Sequence, residues 1–313
     1  MADNWTGASV ASSFKHKIFY FLIKTGGRYC AYLLLYFVVA SYAIIPKFRK
    51  KAYPYIEKRF GKLNFFSKFR HCYKLFLTFG KTLVDKAVFG ILGKIEILSS
   101  QQDRDLCTDL YNQGKGLIFI TAHCGAWQSA MAAFDFIKAD KYVLYKRVKE
   151  DVDKQVYEHG NRKQNIKFID PTGPYGGTVE MMSVLQKKSI VCVMGDRTFG
   201  SQKNEISVNF LGHTINVPGT IYRIASITQT PIVIVFFPTK SDGKFDSMIL
   251  DNFVVEDNGA KITNYKEYAE KFVNALEQFT KQYPYQFFNM YDMWKDKDNV
   301  QCIMYNERKK YSL

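Results

Sequence analysis

The sequence lacks the residue spacings that would indicate a metal site or a disulfide framework. Its six cysteines are scattered with no Cys-x-x-Cys pair, and its five histidines show no metal-ligand spacing. This usage is typical of reduced thiols in a cytosolic compartment. We therefore expect no zinc site, no disulfide and no other bound metal.

Sequence signals for secretion or for a division into several domains are also missing. The first 13 residues do not have the arrangement of a cleavable signal peptide. Residues 52–313 contain no internal repeat, no low-complexity tract and no linker rich in Pro, Gly or Ser. A length of 313 residues suffices for one large domain with an appendage. We expect one domain over 52–313, preceded by an N-terminal segment, 1–51.

Acidic residues are scarce relative to basic ones. The chain has 44 Lys and Arg against 29 Asp and Glu, a formal net charge of +15. Such a charge suits nucleic acid, anionic lipid headgroups or an acidic protein. No recognised DNA- or RNA-binding motif accompanies it. We expect anionic membrane lipid and an acidic protein as partners, and no nucleic acid.

The N-terminal segment contains a long uncharged run. Tyr29 to Ile45 carries no charge over 17 residues, and basic residues flank it on both sides. A membrane-spanning helix needs about 20 apolar residues, with about 17 as a lower limit. The run predicts a membrane-anchoring helix within 1–51, either spanning or interfacial, and a buried core helix is the alternative.

Apolar runs alternate with helical patterns in the remainder. Residues 52–100 show amphipathic helical spacing with lysines on the outer face. Strands are predicted at 116–122, 142–146, 166–169, 189–194, 207–210 and 231–236, and helices at 127–138, 150–160, 178–187, 217–228 and 264–282. Uniformly apolar strands separated by helices favour an α/β fold, with a mixed, mostly parallel sheet covered by helices.

The stretch from Gly114 to Met131 carries the strongest candidate for chemistry. Its apolar strand ends just before His123, and Gln128 follows on the next predicted helix. Ligands bind at the carboxyl ends of strands in such sheets. A His beside a side-chain acceptor and free backbone N–H groups, here near Gly125 and Ala126, is able to take a proton from a hydroxyl. A structural His is the alternative.

Several blocks, taken together and in order, resemble the lipid A late acyltransferases of the lysophospholipid acyltransferase superfamily. The blocks are HCGAWQ at 123–128, Asp196-Arg197, VNFLG at 208–212 and YPYQFF at 283–288. The resemblance implies the glycerolipid acyltransferase fold. It also implies a location at the cytoplasmic face of the bacterial inner membrane.

The resemblance further implies a reaction. A fatty acyl chain would pass from acyl carrier protein, or from coenzyme A, to a hydroxyl of a lipid A-like or other glycolipid acceptor, without a metal or redox cofactor. His123 would be the general base, and the acid five residues on would orient it. Asp196 is a further catalytic candidate, with a helix cap as its alternative. The residues expected to bind substrate are Gly125, Trp127, Arg147, Arg162 and Arg197.

The sequence departs from this pattern at the acid, because position 128 is Gln. A Gln carbonyl is able to set the imidazole tautomer but offers no negative charge to imidazolium. Either Gln128 works as a variant, or another carboxylate such as Asp196 or Asp135 replaces it, or the chain is a non-catalytic relative that binds lipid or carrier. We favour the first of these, a working variant with Gln128. Transfer to an amine of an amino-lipid also stays open, whereas Cys124 is not expected to be a nucleophile.

Overall fold

The structure is a computed structural model that describes residues 13–93, 96–145, 166–198, 204–240, 242–259 and 261–294. The predicted helix at 150–160 and the predicted substrate residues Arg147 and Arg162 lie outside these ranges. The helices are α1 (Ser13–Ile44), α2 (Pro46–Phe60), α3 (Phe65–Leu92), α4 (Gln101–Asn112), α5 (Thr178–Gln186), α6 (Thr220–Thr228) and α7 (Lys266–Gln282). Short 3₁₀ helices span Trp127–Phe134, Pro174–Gly177 and Ile262–Tyr265.

Six strands form the central sheet in the order β10-β8-β2-β5-β3-β4. The strands of the chain are β1 (Ile97–Leu98), β2 (Leu117–Thr121), β3 (Lys141–Leu144), β4 (Ile166–Ile169), β5 (Ile190–Met194), β6 (Glu205–Phe210), β7 (His213–Pro218), β8 (Ile232–Phe236), β9 (Phe245–Asp246) and β10 (Met248–Phe253). All neighbours in the central sheet are parallel except β10, which is antiparallel to β8. The predicted mixed, mostly parallel sheet is confirmed.

Both faces of the inner strands β2, β5 and β8 are buried, as the uniformly apolar runs predicted, whereas the edge strands β4 and β10 are partly exposed. On one face Ile118 and Ile120 of β2 belong to the same buried cluster as Phe272 and Phe279 of α7. On the other face Phe119 stacks on Phe134 with ring centroids 3.8 Å apart. Successive side chains of a strand point to opposite faces, so one strand feeds two cores.

Several elements differ from their predictions. The predicted helix at 127–138 is a 3₁₀ helix that ends at Phe134, because the chain must reverse within a few residues to enter β3. The predicted helix at 217–228 begins only at Thr220, since the preceding residues pair as β7 with β6. Strands β1, β7, β9 and β10 and helix α4 were not predicted from the sequence.

The N-terminal helices form a layer in which α1 packs on α3. The buried residues at this contact are Ile23, Ala31, Tyr32, Leu35 and Val39 of α1 with Val84, Ala87 and Val88 of α3. In the described part of the chain, Lys17–Ile44 is the one helical stretch long and apolar enough to cross a membrane, and 28% of its most apolar window is buried. The alternative prediction, a buried core helix, therefore applies only to the stripe of α1 that packs on α3. Large apolar side chains on the rest of α1 are exposed: Ile18, Phe21, Tyr29, Leu33, Tyr36, Phe37 and Ile44.

Removing the aromatic stack under β2 is predicted to destabilise the fold strongly. Phe119 is fully buried, and Phe119→Ala should lower the free energy of unfolding by about 3–5 kcal/mol, since truncation of a buried Phe leaves a cavity. Val179 on α5 is 60% exposed, so Val179→Ala serves as the control and should change stability by less than about 0.5 kcal/mol. Chemical denaturation of both variants tests this, and equal effects would contradict the assigned core.

Candidate active site

Strand register brings His123 and Asp196 together. β2 and β5 are adjacent and parallel, with Thr121 paired to Met194 at their carboxyl ends. His123 and Asp196 each follow two residues after this pair, so both side chains emerge at the same edge of the sheet. The His123 Nδ1 lies 3.0 Å from both Oδ1 and Oδ2 of Asp196. The carboxylate thus contacts one ring nitrogen and leaves Nε2 for other chemistry.

The pair is buried to different degrees, which sets its protonation. The Asp196 side chain is 2% exposed and that of His123 is 19% exposed. Burial, reinforced by the positive charge of Arg197, lowers the pKa of His123 in spite of the nearby carboxylate. Burial acts to raise the pKa of Asp196, but its contacts with His123 and Arg197 outweigh this and hold that pKa below its ordinary value. A neutral imidazole therefore donates its Nδ1–H to an ionised carboxylate.

Arg197 supports the acid from the side away from the imidazole. Its Nε lies 3.8 Å from Asp196 Oδ2, its Nη2 donates to the Phe288 carbonyl oxygen at 3.3 Å, and its guanidinium lies over the Tyr291 ring. The Tyr291 hydroxyl donates in turn to the Asp196 backbone carbonyl at 3.3 Å. Arg197 is 6% exposed, and its contacts described above are with other residues of the protein. They favour a role in positioning Asp196, and substrate binding by Arg197 stays a prediction.

Residues 286–288 run antiparallel beside residues 123–125 and hold the His123 backbone. We call residues 286–288 the clasp. The Phe288 N–H donates to the His123 carbonyl oxygen at 2.8 Å, and the Gly125 N–H donates to the Gln286 carbonyl oxygen at 2.8 Å. The Gln286 side chain makes two bonds to the Thr239 backbone, accepting from its N–H at 2.8 Å and donating to its carbonyl oxygen at 2.9 Å. The C-terminal segment therefore fixes the turn that carries His123.

Gly125 allows this turn to approach the chain after β8. Its φ is +54°, and a Cβ at this position would overlap the Phe237 carbonyl oxygen. The Ala126 N–H donates to that same oxygen at 2.7 Å. The N–H groups of Gly125 and Ala126 were expected to be free, but in the structure both donate to backbone carbonyls. Substrate binding by Gly125 stays a prediction.

An aromatic wall stands beside His123. The Trp127 ring centroid lies 5.8 Å from the imidazole and 5.5 Å from the Phe288 ring, and Phe79 of α3 stacks on Trp127 at 6.2 Å. Apolar rings next to the base are suited to excluding water and to contacting an alkyl chain. In the described ranges, no three His, Cys, Asp or Glu side chains are grouped so that they could hold a metal ion.

Comparison with known proteins identifies the family. The sequence model of the bacterial lipid A biosynthesis acyltransferases matches residues 73–296, well over half of the chain. The chain belongs to this family. No curated protein matches the chain significantly. The family indicates an acyltransferase with a lipid acceptor, and together with the apolar helix α1 it suggests association with a membrane.

The acyltransferase brings some of the predicted site residues together and separates others. His123, Asp196, Arg197 and Trp127 form one cluster. Gln128 makes no hydrogen bond to His123; its Oε1 is buried and has no hydrogen-bond partner in the described part of the chain. Asp135, the other proposed replacement for the acid, is 59% exposed and lies 3.4 Å from the Lys141 ammonium.

Four residues of the site were not predicted: Phe79, Phe288, Tyr291 and Thr239. Phe79 was recognised only as part of an amphipathic helix, and Phe288 only as part of the C-terminal block. Nothing in the sequence indicates that Tyr291 or Thr239 approaches His123. Cys124, beside the base, is fully buried, and burial raises the pKa of its thiol well above the ordinary value. A thiolate nucleophile is disfavoured there.

Substitution of Gly125 tests the turn of the acyltransferase site. Gly125→Ala should abolish measurable acyl transfer and lower stability, because the new Cβ would push the His123 turn away from the Phe237 carbonyl oxygen. Gly212 has a similar φ of +77° with no neighbouring atom near its Cβ position. Gly212→Ala should therefore cost only the strain of about 1–2 kcal/mol and retain activity. Equal activity of the two variants would rule out a close-packed turn.

Proposed function

We propose that the protein transfers a fatty acyl group from acyl carrier protein, or from coenzyme A, to a hydroxyl of a lipid A-like or other glycolipid acceptor. The contact of His123 Nδ1 with the buried Asp196 carboxylate is the single observation that carries this proposal. It lies at the carboxyl ends of adjacent parallel strands, within the region matched by the acyltransferase family. No metal or redox cofactor is required by this chemistry.

His123 acts as the general base. With its Nδ1–H donated to Asp196, the imidazole presents an unprotonated Nε2 to the acceptor hydroxyl. Nε2 takes the hydroxyl proton as the oxygen attacks the thioester carbonyl carbon. The C–S bond then breaks, and the imidazolium returns the proton to the departing thiolate. Asp196 stabilises the transient imidazolium, as the buried carboxylate does in the serine protease triad.

Asp196 removes the main reason to regard this chain as non-catalytic. That alternative rested on the amide at position 128, which leaves His123 without the acid expected five residues on. The negative charge comes instead from Asp196, which follows β5 and is in direct contact with the imidazole. The same base would also deprotonate an amine, so transfer to an amino-lipid is the second candidate, and mass spectrometry of the acylated product separates an ester from an amide.

The proposed site of action is the cytoplasmic face of the bacterial inner membrane. The exposed apolar side of α1 supplies the surface that would enter the bilayer. Basic residues adjoin its C-terminal end, where Arg49 donates to the Ala43 and Ile44 carbonyl oxygens. Positive charge next to an apolar surface binds anionic headgroups. The net charge of +15 also suits docking of an acidic carrier protein as donor.

Replacing the acid should remove most of the activity. Asp196→Asn is expected to lower the transfer rate by about three to four orders of magnitude, since the amide favours the wrong imidazole tautomer. His123→Ala should abolish transfer. Asp135→Asn, at the exposed carboxylate, is the matched control and should retain wild-type activity. Labelled acyl-carrier protein with a lipid extract provides the assay, and an active Asp196→Asn enzyme would rule out the pair as the catalytic unit.

The pH profile gives a separate prediction. The pKa of His123 is lowered below its ordinary value, so the base stays neutral at pH 7 and becomes protonated only in acid. The rate should therefore stay constant above pH 7 and fall with decreasing pH at a midpoint below 6.5. The dependence of kcat/KM on pH, which reports the groups of the free enzyme, measures this midpoint, and a midpoint above 7 would contradict the assigned environment of His123.

Membrane binding should depend on the exposed side of α1. The double variant Leu33→Ser, Phe37→Ser removes two large exposed apolar side chains and should weaken binding to anionic vesicles by about tenfold or more, since each buried apolar side chain contributes about 1.5–3 kcal/mol. Val179→Ser, at an exposed apolar residue of α5, is the control and should bind like wild type. Vesicle co-sedimentation measures both, and equal binding would exclude α1 as the membrane surface.

A further inference from the structure

A small cavity beside the His123 turn is lined in part by Gln128, whose side-chain Oε1 is buried. Its volume is about 10 Å³, the space of a single water molecule. The cavity is lined by Thr82, Asp85 and Lys86 of α3, Ala126 and Gln128 of the turn, and Thr239, Gly243 and Phe245 of the segment after β8. Gln128 thus faces α3, whereas the imidazole of His123 faces Asp196.

The cavity already holds a carboxylate that is tied to α1. Asp85 Oδ1 lies 2.9 Å from Arg28 Nε and accepts a hydrogen bond from the Tyr32 hydroxyl at 2.6 Å. Arg28 also donates to the Asp242 carbonyl oxygen. A Cβ at Gly243 would overlap the Arg28 guanidinium, so this glycine makes room for the contact. Arg28 and Asp85 therefore join α1, α3 and the segment after β8 around one cavity.

A second carboxylate in this space would be unfavourable. Like charges that share a buried site disfavour each other's ionisation. The amide of Gln has the shape of a carboxylate, but it carries no charge and presents an NH₂ donor as well as an oxygen. Gln at position 128 therefore adds no charge beside Asp85, whereas Glu, the usual residue in the resembling motif, would add a second carboxylate to a cavity whose lining also includes Lys86.

We propose that Gln128 and Asp85 form a positioning unit that couples the turn carrying His123 to the α1–α3 layer, and that Asp85 is the reason position 128 is an amide. Gln128 then has no direct part in proton transfer. The inference builds on the proposed acyl transfer, because it assigns a role to a residue of the same site.

The pH dependence of this unit follows from its surroundings. Burial raises the pKa of Asp85 to about 6, against lowering by Tyr32, Arg28 and Lys81. The charged and titratable groups that line the cavity or act on Asp85 are Arg28 and Tyr32 of α1 and Lys81 and Lys86 of α3, while Asp242 and Lys244 flank the lining residue Gly243. Because the folded-state pKa is raised, the stability that Asp85 contributes is present in acid and is lost as the pH rises through 6.

A double-mutant cycle tests the proposal with Gln128→Glu, Asp85→Asn and the combined variant. At pH 7.5, Gln128→Glu should lower both the transfer rate, by about tenfold, and the melting temperature, because two ionised carboxylates then share the cavity. At pH 5.5 one carboxylate is protonated, so most of the loss in both measurements should disappear. Adding Asp85→Asn to Gln128→Glu should restore rate and melting temperature at pH 7.5.

The cycle separates this proposal from simpler explanations. A loss in Gln128→Glu that does not change with pH, or one that Asp85→Asn does not relieve, would mean that Gln128 and Asp85 are not coupled. A transfer rate of Gln128→Glu well above wild type would overturn the proposal and restore position 128 as the acid of His123. The melting temperatures report the coupling even if the wild-type protein transfers no acyl group, so failure of the proposed function is recognised separately.

Discussion

The parallel register of β2 and β5 is the constraint on which the site depends. Pairing of Thr121 with Met194 places the second residue after each strand side by side, and these residues are His123 and Asp196. A shift of one residue would send every side chain of a strand to the opposite face and separate the pair. Both strands are covered on their two faces, so the apolar core fixes this register.

The register alone does not fix the direction of the imidazole. That depends on the clasp, in which Phe288 and Gln286 hold the backbone on either side of Cys124. Arg197 links the acid to the clasp, because it contacts both the Asp196 carboxylate and the Phe288 carbonyl oxygen. The site therefore requires the C-terminal segment to be in place after α7. The Gly125 N–H donates to the clasp and the Ala126 N–H donates to the Phe237 carbonyl oxygen, so in the proposed reaction other groups would stabilise a developing oxyanion.

The sequence was sufficient to predict the sheet and to single out His123 and Asp196, but not their contact with each other. Apolar runs bounded by helices located β2, β5 and β8 to within two residues. The position of Asp196 after an apolar strand made it a candidate, but Gln128 was favoured because it stands where the resembling motif has its acid. The motif position failed here because the turn at Gly125 and the following 3₁₀ helix direct Gln128 towards α3. Such directions depend on tertiary hydrogen bonds from residues more than a hundred positions away.

The proposed membrane surface and the aromatic wall beside His123 both involve the layer formed by α1 and α3. Phe79 of α3 stacks on Trp127 beside the base, while the opposite side of α3 packs on α1. The large exposed apolar residues of α1 lie away from this contact. The α1–α3 layer thus lies between the proposed bilayer surface and His123, so in the proposed arrangement the packing of these helices sets the distance of His123 from the lipid phase. The predicted boundary at residue 51 divides this layer, since α1 lies before it and α3 after it. In the proposed reaction, an acyl acceptor held in the membrane would meet His123 at a fixed depth, and this arrangement favours one acceptor hydroxyl over others at different distances from the bilayer.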